Sequence, residues 1–343
     1  MVKVLIIDDS VMFRTMLTNE LQKDPMIQVI GTAGDAYEAK DKILQLKPDV
    51  LSLDVEMPKM NGIEFLKKLL PQYPIAAVVV TSSPVSAFEA ISAGAVDFIK
   101  KPTRADMSTF IEDLRSMIKT AATAKVVAKT APSIQGATMP SANIFASKVF
   151  DPIKNAKTVV AIGASTGGTE AILEVIKDFP ASTPGTIIVQ HMPAGFTKMY
   201  AERLNRICKM EVREAKNGDR IKQGLILLGA GNYHLRLKKD AAGYYVSSTT
   251  GEKVSGHCPS VDVMFDSVAE IAGNNAIGVI LTGMGADGAD GLLKLRQTGA
   301  FTVGQDKETC IVYGMPMVAF NKGAVAQQAP LQNISGIVLS KLK

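Results

Sequence analysis

Two periods alternate along this chain. Short apolar runs bounded by turn residues are followed by stretches in which apolar positions recur every three or four. Runs at 2–7, 28–32, 50–53, 76–81 and 96–99 predict strands, with helical spacing between them. That alternation predicts a parallel sheet. Residues 121–157, rich in Ala, Lys, Ser, Thr and Pro, hold no sustained period, and a structureless stretch of that length reads as a flexible linker between domains. Beyond it the alternation resumes. A run from 159 stops at Gly163, a turn of small residues follows, and helical spacing covers 169–179; further strands are predicted at 186–190 and 276–281. The expected fold class is α/β, with two doubly wound parallel-sheet domains at 1–120 and 158–343.

The turn after the 159 run, Gly163-Ala164-Ser165-Thr166-Gly167-Gly168, fits the nucleophile-elbow pattern G-x-S-x-G. It places a serine at the carboxyl end of a strand and the amino end of a helix, where open α/β sheets bind ligands and developing negative charge is favoured. The 186–190 strand runs into His191, and the 276–281 strand into Thr282-Gly283-Met284-Gly285-Ala286-Asp287-Gly288. Ser165, His191 and Asp287 thus each follow a strand end. They match the needs of acyl transfer: a nucleophile, a base that takes and returns its proton, and an acid that orients the base. The backbone N–H groups of the 283–285 loop, those of Met284 and Gly285 above all, are candidate oxyanion donors. The order Ser, His, Asp differs from the Ser, Asp/Glu, His order of α/β-hydrolases. His234 and His257 compete for the base role, and both are read as structural or substrate-facing.

In the first domain the acids stand at strand ends. Asp8 and Asp9 close the first strand and Asp54 the third. Three carboxylates at one sheet edge repel unless a cation sits among them, and oxygen ligands in that arrangement suit Mg²⁺. Thr81 ends the fourth strand with a hydroxyl, and Lys101 precedes Pro102 after the fifth.

Composition narrows the classes. Hydrophobic content of 47% with 21% charged residues is that of a globular protein, and no apolar run approaches a membrane span. Residues 1–9 are apolar only briefly and end in two acids, so they read as a first strand rather than a signal peptide. Cys208, Cys258 and Cys310 lack metal-ligand spacing and read as reduced thiols, consistent with the cytoplasm. The net charge of +5 is too dispersed for a nucleic-acid reader. A dinucleotide-binding reading of the glycines fails because Ser165 stands where the middle glycine of G-x-G-x-x-G belongs.

Residues 1 to about 119 resemble a response-regulator receiver domain. The resemblance is carried by Ile6-Ile7-Asp8-Asp9-Ser10, by Leu53 through Gly62 (LDVEMPKMNG), by Val80-Thr81-Ser82 and by Ile99-Lys100-Lys101-Pro102. It implies phosphorylation of Asp54, Mg²⁺ held by Asp8, Asp9, Asp54 and the backbone carbonyl of Glu56, and phosphate sensing by Thr81 and Lys101. Lys101 is preferred over Lys100 because the family's lysine directly precedes the proline. Residues 158–343 resemble the bacterial chemotaxis protein-glutamate methylesterase domain. There the motifs are the Ser165 turn, Gln190-His191-Met192-Pro193, Pro259-Ser260-Val261-Asp262-Val263, the 282–288 loop and Val312-Tyr313-Gly314-Met315-Pro316. This second resemblance implies hydrolysis of glutamate methyl esters on chemoreceptors, deamidation of receptor glutamines, and Ser165, His191 and Asp287 as the triad, with no cofactor in the esterase site. It implies chemoreceptors and a histidine kinase as partners, and inhibition by the receiver that phosphorylation relieves. Cys258 departs from the basic residue that relatives often carry before the proline.

Overall fold

The computed structural model describes residues 1–103, 106–126, 150–151, 155 and 157–342. The chain forms two compact units, residues 1–135 and 136–343.

In the first unit the elements are β1 (Val2–Ile7), α1 (Val11–Leu21), β2 (Ile27–Ala33), α2 (Ala36–Leu46), β3 (Val50–Asp54), α3 (Gly62–Leu69), β4 (Ala76–Thr81), α4 (Pro84–Ala93), β5 (Asp97–Lys100) and α5 (Met107–Ala121). The five strands pair in parallel in the order β2-β1-β3-β4-β5. Every residue of β3 and β4 is buried, as expected of strands covered by helices on both faces. Helix starts follow local capping: Ser10 accepts from Phe13 N at the head of α1, and Ser83 precedes Pro84 at the head of α4.

In the second unit, β6 (Val159–Ala164), α6 (Gly168–Ile176), β7 (Thr186–Gln190), α7 (Phe196–Ile207), β8 (Glu211–Glu214) and β9 (Leu225–Leu228) build one half of a sheet. An antiparallel hairpin of β10 (His234–Asp240) and β11 (Gly243–Thr249) and the helix α8 (Val261–Ile271) follow. Then come β12 (Ala276–Ile280), α9 (Ala289–Gln297), β13 (Phe301–Gln305), α10 (Met315–Asn321), β14 (Gln327–Ala329) and α11 (Leu331–Ser340). Seven strands pair in parallel in the order β14-β13-β12-β6-β7-β9-β8. The chain builds outward from β6 on one side, then returns through the hairpin and α8 to lay β12 on the other. The switch point of the sheet therefore lies beside β6, where the Ser165 turn emerges. Side chains of the hairpin (Leu235, Leu237, Val246) and of α8 (Met264, Phe265, Val268) share one buried cluster with β6 and β7, so the hairpin is a layer of the core.

The sequence-based linker, 121–157, lies mostly outside the described residues. One described part belongs to the second unit. Phe150 is fully buried, its N–H donates to Ser182 Oγ at 3.2 Å, and its carbonyl accepts from Gln223 Nε2 at 3.3 Å. The helix expected over 169–179 ends at Ile176, and Phe179 is buried beyond it.

The close packing of α8 on β6 generates a prediction. A Cβ at Gly163 would stand 2.2 Å from Val261 Cγ1, at the head of the helix that carries the site's supports. Gly163→Ala is expected to destabilise the second unit by about 1–3 kcal/mol, read from the urea midpoint. An unchanged midpoint would mean that α8 is free to move away from β6.

Candidate active site and receiver acidic pocket

Three neighbouring strands deliver the candidate residues of the second unit. The β6–β7 register sets Ala164 against Gln190, and His191 N donates to Ala164 O at 3.2 Å, so the residues after each strand, Ser165 and His191, are neighbours. On the other flank Ser165 N donates to Thr282 O at 3.0 Å, just past β12. A Cβ on Gly283 would lie 2.8 Å from Ser165 Cβ, which explains a glycine there. The left-handed Gly167 (φ +77°) turns the chain into α6, and Gly168 N closes the turn on Ser165 O at 2.7 Å.

Gln190 holds this arrangement together. Its single amide nitrogen donates to Ser165 O at 2.9 Å and to His191 O at 3.1 Å, tying the serine and histidine loops to one side chain.

His191 and Asp287 are brought together directly, Nε2 to Oδ2 at 2.7 Å, with both side chains nearly buried. A carboxylate oxygen only accepts, so Nε2 carries the proton and Nδ1 keeps the basic lone pair. Nδ1 is buried without a hydrogen-bond partner. Among the described residues no hydrogen bond joins Ser165 Oγ to His191. Asp287 is fixed from the opposite side by the head of α8. Ser260 Oγ donates to its Oδ1 at 2.7 Å, Asp262 N to Oδ1 at 3.0 Å, and Val261 N to Oδ2 at 2.7 Å. Burial would push this carboxyl up, but its bond to His191 and those from Ser260 and Val261 hold it at about 2. Nearby Asp262 is pushed up to about 6 by burial, with the charge of Asp287 adding, although it accepts from Gly291 N at 2.7 Å.

At the candidate oxyanion loop, Gly283 N–H is already donated to Val312 O at 3.1 Å, while Gly283 O accepts from Gly314 N and Met315 N. Met284 and Gly285 follow it in the loop, and Gly285 takes the left-handed conformation (φ +80°). The two other histidines do not meet Asp287. His234 is buried and bonded at both ring nitrogens, to Glu252 O at 2.8 Å and Ser260 N at 3.3 Å. His257 lies flat on His191, ring centroids 3.6 Å apart and planes 13° from parallel. Cys258 is half-buried, and burial pushes its thiol up.

Gln190 and Ser260 stand in the sequence motifs without a role assigned to them, and the stack of His257 on His191 has no counterpart there. A signal existed for Ser260 alone: a serine just before a helical pattern is an N-cap, and its hydroxyl accepts from Val263 N at 3.4 Å.

In the first unit the ends of β1, β3, β4 and β5 share one edge. Asp8 and Asp54 are buried, Asp9 is exposed, and their nearest carboxylate oxygens all lie within 4.8 Å of one another. Lys101 Nζ reaches Asp54 Oδ2 at 2.6 Å and Asp8 Oδ2 at 3.2 Å, whereas Lys100 is exposed. Burial pushes the Asp54 carboxyl up to about 6 against the pull of Lys101. Thr81 is fully buried, and its hydroxyl accepts from Ser83 N at 3.1 Å. An all-oxygen set of this kind, including the buried Asp8 and Asp54, fits a hard divalent cation.

Asp287 makes stability depend on pH. Its folded-state value near 2 lies below the ordinary 3.8, so its contribution is fully present above about pH 4 and lost as pH falls through 2. Asp287→Asn is expected to be less stable than the parent at pH 5 by about 2 kcal/mol, the gap narrowing toward pH 2, as measured by urea unfolding. A gap that does not change with pH would mean that the carboxylate charge is not what the α8 donors hold.

Comparison with known proteins gives the family. Residues 160–338 match the CheB methylesterase family and residues 4–131 the response regulator receiver domain family. A protein-glutamate methylesterase/protein-glutamine glutaminase of Syntrophomonas wolfei is 50% identical over 99% of this chain and 97% of its own length. One from Agrobacterium fabrum is 46% identical over 98% and 95%. The crystal structure of the Thermotoga maritima CheB methylesterase catalytic domain is 36% identical, covering 53% of this chain and 97% of its own, with a TM-score of 0.52. The chain belongs to the protein-glutamate methylesterase/protein-glutamine glutaminase family, in the form that carries a receiver domain ahead of the hydrolase domain.

Proposed function

We propose that this chain removes methyl esters from glutamate side chains of chemoreceptors and deamidates receptor glutamines in chemotaxis adaptation, under control of phosphorylation at its receiver. The observation that carries the reading is the 2.7 Å bond from His191 Nε2 to Asp287 Oδ2, at the sheet edge where Ser165 follows β6. It leaves Nδ1 as the base on the histidine that neighbours the serine.

Ser165 Oγ attacks the ester carbonyl carbon while its proton passes to His191 Nδ1. The carbonyl oxygen gains the negative charge, and backbone N–H groups at Met284 and Gly285 are its assigned donors. The tetrahedral intermediate collapses, the C–OCH₃ bond breaks, and His191 returns the proton to the departing oxygen as methanol. Water then attacks the acyl-enzyme through the same base, giving a glutamate carboxylate and free Ser165. With a glutamine substrate the leaving group is ammonia and the acyl-enzyme is the same. Asp287 stays ionised throughout and stabilises the imidazolium.

In the receiver, Asp54 is the assigned phosphoacceptor, with a chemotaxis histidine kinase as donor. Asp8, Asp9, Asp54 and the Glu56 carbonyl would hold Mg²⁺, which neutralises charge as the phosphoryl group arrives. Lys101 already reaches Asp54 and would pair with a phosphoryl oxygen, and the Thr81 hydroxyl would turn toward another. The working boundaries are a receiver at 1–120, a linker at 121–157 and the hydrolase at 158–343, with Phe150 favouring a hydrolase unit that starts earlier. The enzyme is assigned to the cytoplasm, without membrane insertion; among the described residues no helix is long and apolar enough to cross a membrane.

Ser165→Ala and His191→Ala are each expected to lower methanol release from methyl-labelled receptor membranes by about 10³-fold or more, because members of such a unit fail together. Release by Ser165→Ala within about tenfold of the parent would remove the serine from the mechanism. Asp54→Asn is expected to abolish Mg²⁺-dependent labelling by a small phosphodonor, and labelling that survives would place the acceptor elsewhere.

A further inference from the structure

Three histidines occur in this chain, and the mechanism uses one. The other two belong to a single device. Residues 252–260 form a strap over the edge of the site, and His234 of β10 clamps both of its ends. His234 Nε2–H donates to Glu252 O at 2.8 Å, and Nδ1 accepts from Ser260 N at 3.3 Å. Within the strap, Val254 and His257 exchange backbone hydrogen bonds at 3.0 and 2.9 Å, and Cys258 O accepts from Asn232 N at 3.1 Å. The backbone that presents His257 is therefore held at both ends and within, and the ring it presents lies on His191.

We propose that His257 is a positioning residue that sets the ring plane of the base His191, held in place by the strap that His234 clamps. This rests on the reading of Ser165, His191 and Asp287 as the triad. The bond from Nε2 to Asp287 fixes one point of the His191 ring and leaves a swing about its side-chain torsions. That swing moves Nδ1, the nitrogen that must face Ser165 Oγ. A parallel ring at 3.6 Å closes one side of it.

Stacking also suits the chemistry. Burial pushes His257 down to about 4, with His191 adding to the effect and Asp287 opposing it, so the upper ring is neutral when His191 takes the serine proton. A neutral π face over a forming imidazolium is favourable, and a second cation there would not be. The same ring keeps water from that face of the base. His257 is not the base itself, because the carboxylate that would orient a base is bonded to His191.

The test is a set of full-length variants assayed for methanol release from methyl-labelled receptor membranes, with Ser165→Ala as control. Since the ring face is what acts, His257→Ala is expected to lower kcat by about tenfold to a hundredfold with KM within about twofold, and His257→Phe to recover at least about half of the parent kcat. His257→Gln, which keeps a polar group without a ring, should resemble His257→Ala. If His257→Ala fails to fold, judged by circular dichroism, the Phe and Gln variants decide the matter. An active Phe variant beside an impaired Gln variant supports positioning, and any other relation between the two overturns it. Parent-like kcat in His257→Ala would also overturn it, as would equal losses in the Ala and Phe variants, which would place chemistry on the His257 nitrogens. These outcomes refute the inference alone when Ser165→Ala is inactive. An active Ser165→Ala would instead refute the triad reading beneath it.

Discussion

The second unit depends on one buried carboxylate. Asp287 accepts from four donors: the Ser260 hydroxyl, the backbone N–H groups of Val261 and Asp262, and His191 Nε2. Three of these belong to the head of α8, where unpaired N–H groups and the helix dipole favour an anion. The helix thus stabilises the charge that its burial would oppose, and the carboxylate passes the benefit to His191. Removing the anion would leave both a helix terminus unsatisfied in the interior and an imidazole without its orienting partner.

Sheet topology decides where that carboxylate can act. Because β12 and β7 flank β6, the residues that follow three strands meet at one edge, although they lie far apart in sequence. Backbone bonds set the spacing. His191 N reaches Ala164 O, Ser165 N reaches Thr282 O, and Gln190 holds the Ser165 and His191 carbonyls on one amide. The crossover from β9 to β12 adds the hairpin and strap, so the longest connection in the sheet also supplies α8 beneath the base and His257 above it.

The receiver repeats the edge logic with another chemistry. Its strands put Asp8, Asp54, Thr81 and Lys101 together; Asp8 accepts from Ser10 N at the head of α1, Asp54 from Glu56 N, and Lys101 bridges the two carboxylates. Burial raises Asp54 here, whereas donors lower Asp287 there. Two buried carboxylates of similar exposure are tuned in opposite directions: burial and the charge of Asp8 raise Asp54, while His191, Ser260 and Val261 hold Asp287 down.

The α/β class, most strand positions and the residues at strand ends were legible in local sequence. Runs such as 76–81 are apolar on both faces and stop at polar residues, and such a run has few other structures open to it. Local sequence also named Ser165, His191, Asp287, Asp8, Asp54 and Lys101, because residue type and strand-end placement are both local properties. Tertiary structure decided the rest. That Gly283 N–H is committed to Val312, that Gln190 bridges two loops, and that His257 covers His191 while His234 clamps its strap all depend on contacts between distant segments. No period or motif encodes such pairings, since each is fixed only when the sheet order places one crossover against another. The orientation of the His191 ring follows for the same reason: Nε2 meets Asp287, a residue distant in sequence that the head of α8 holds in place.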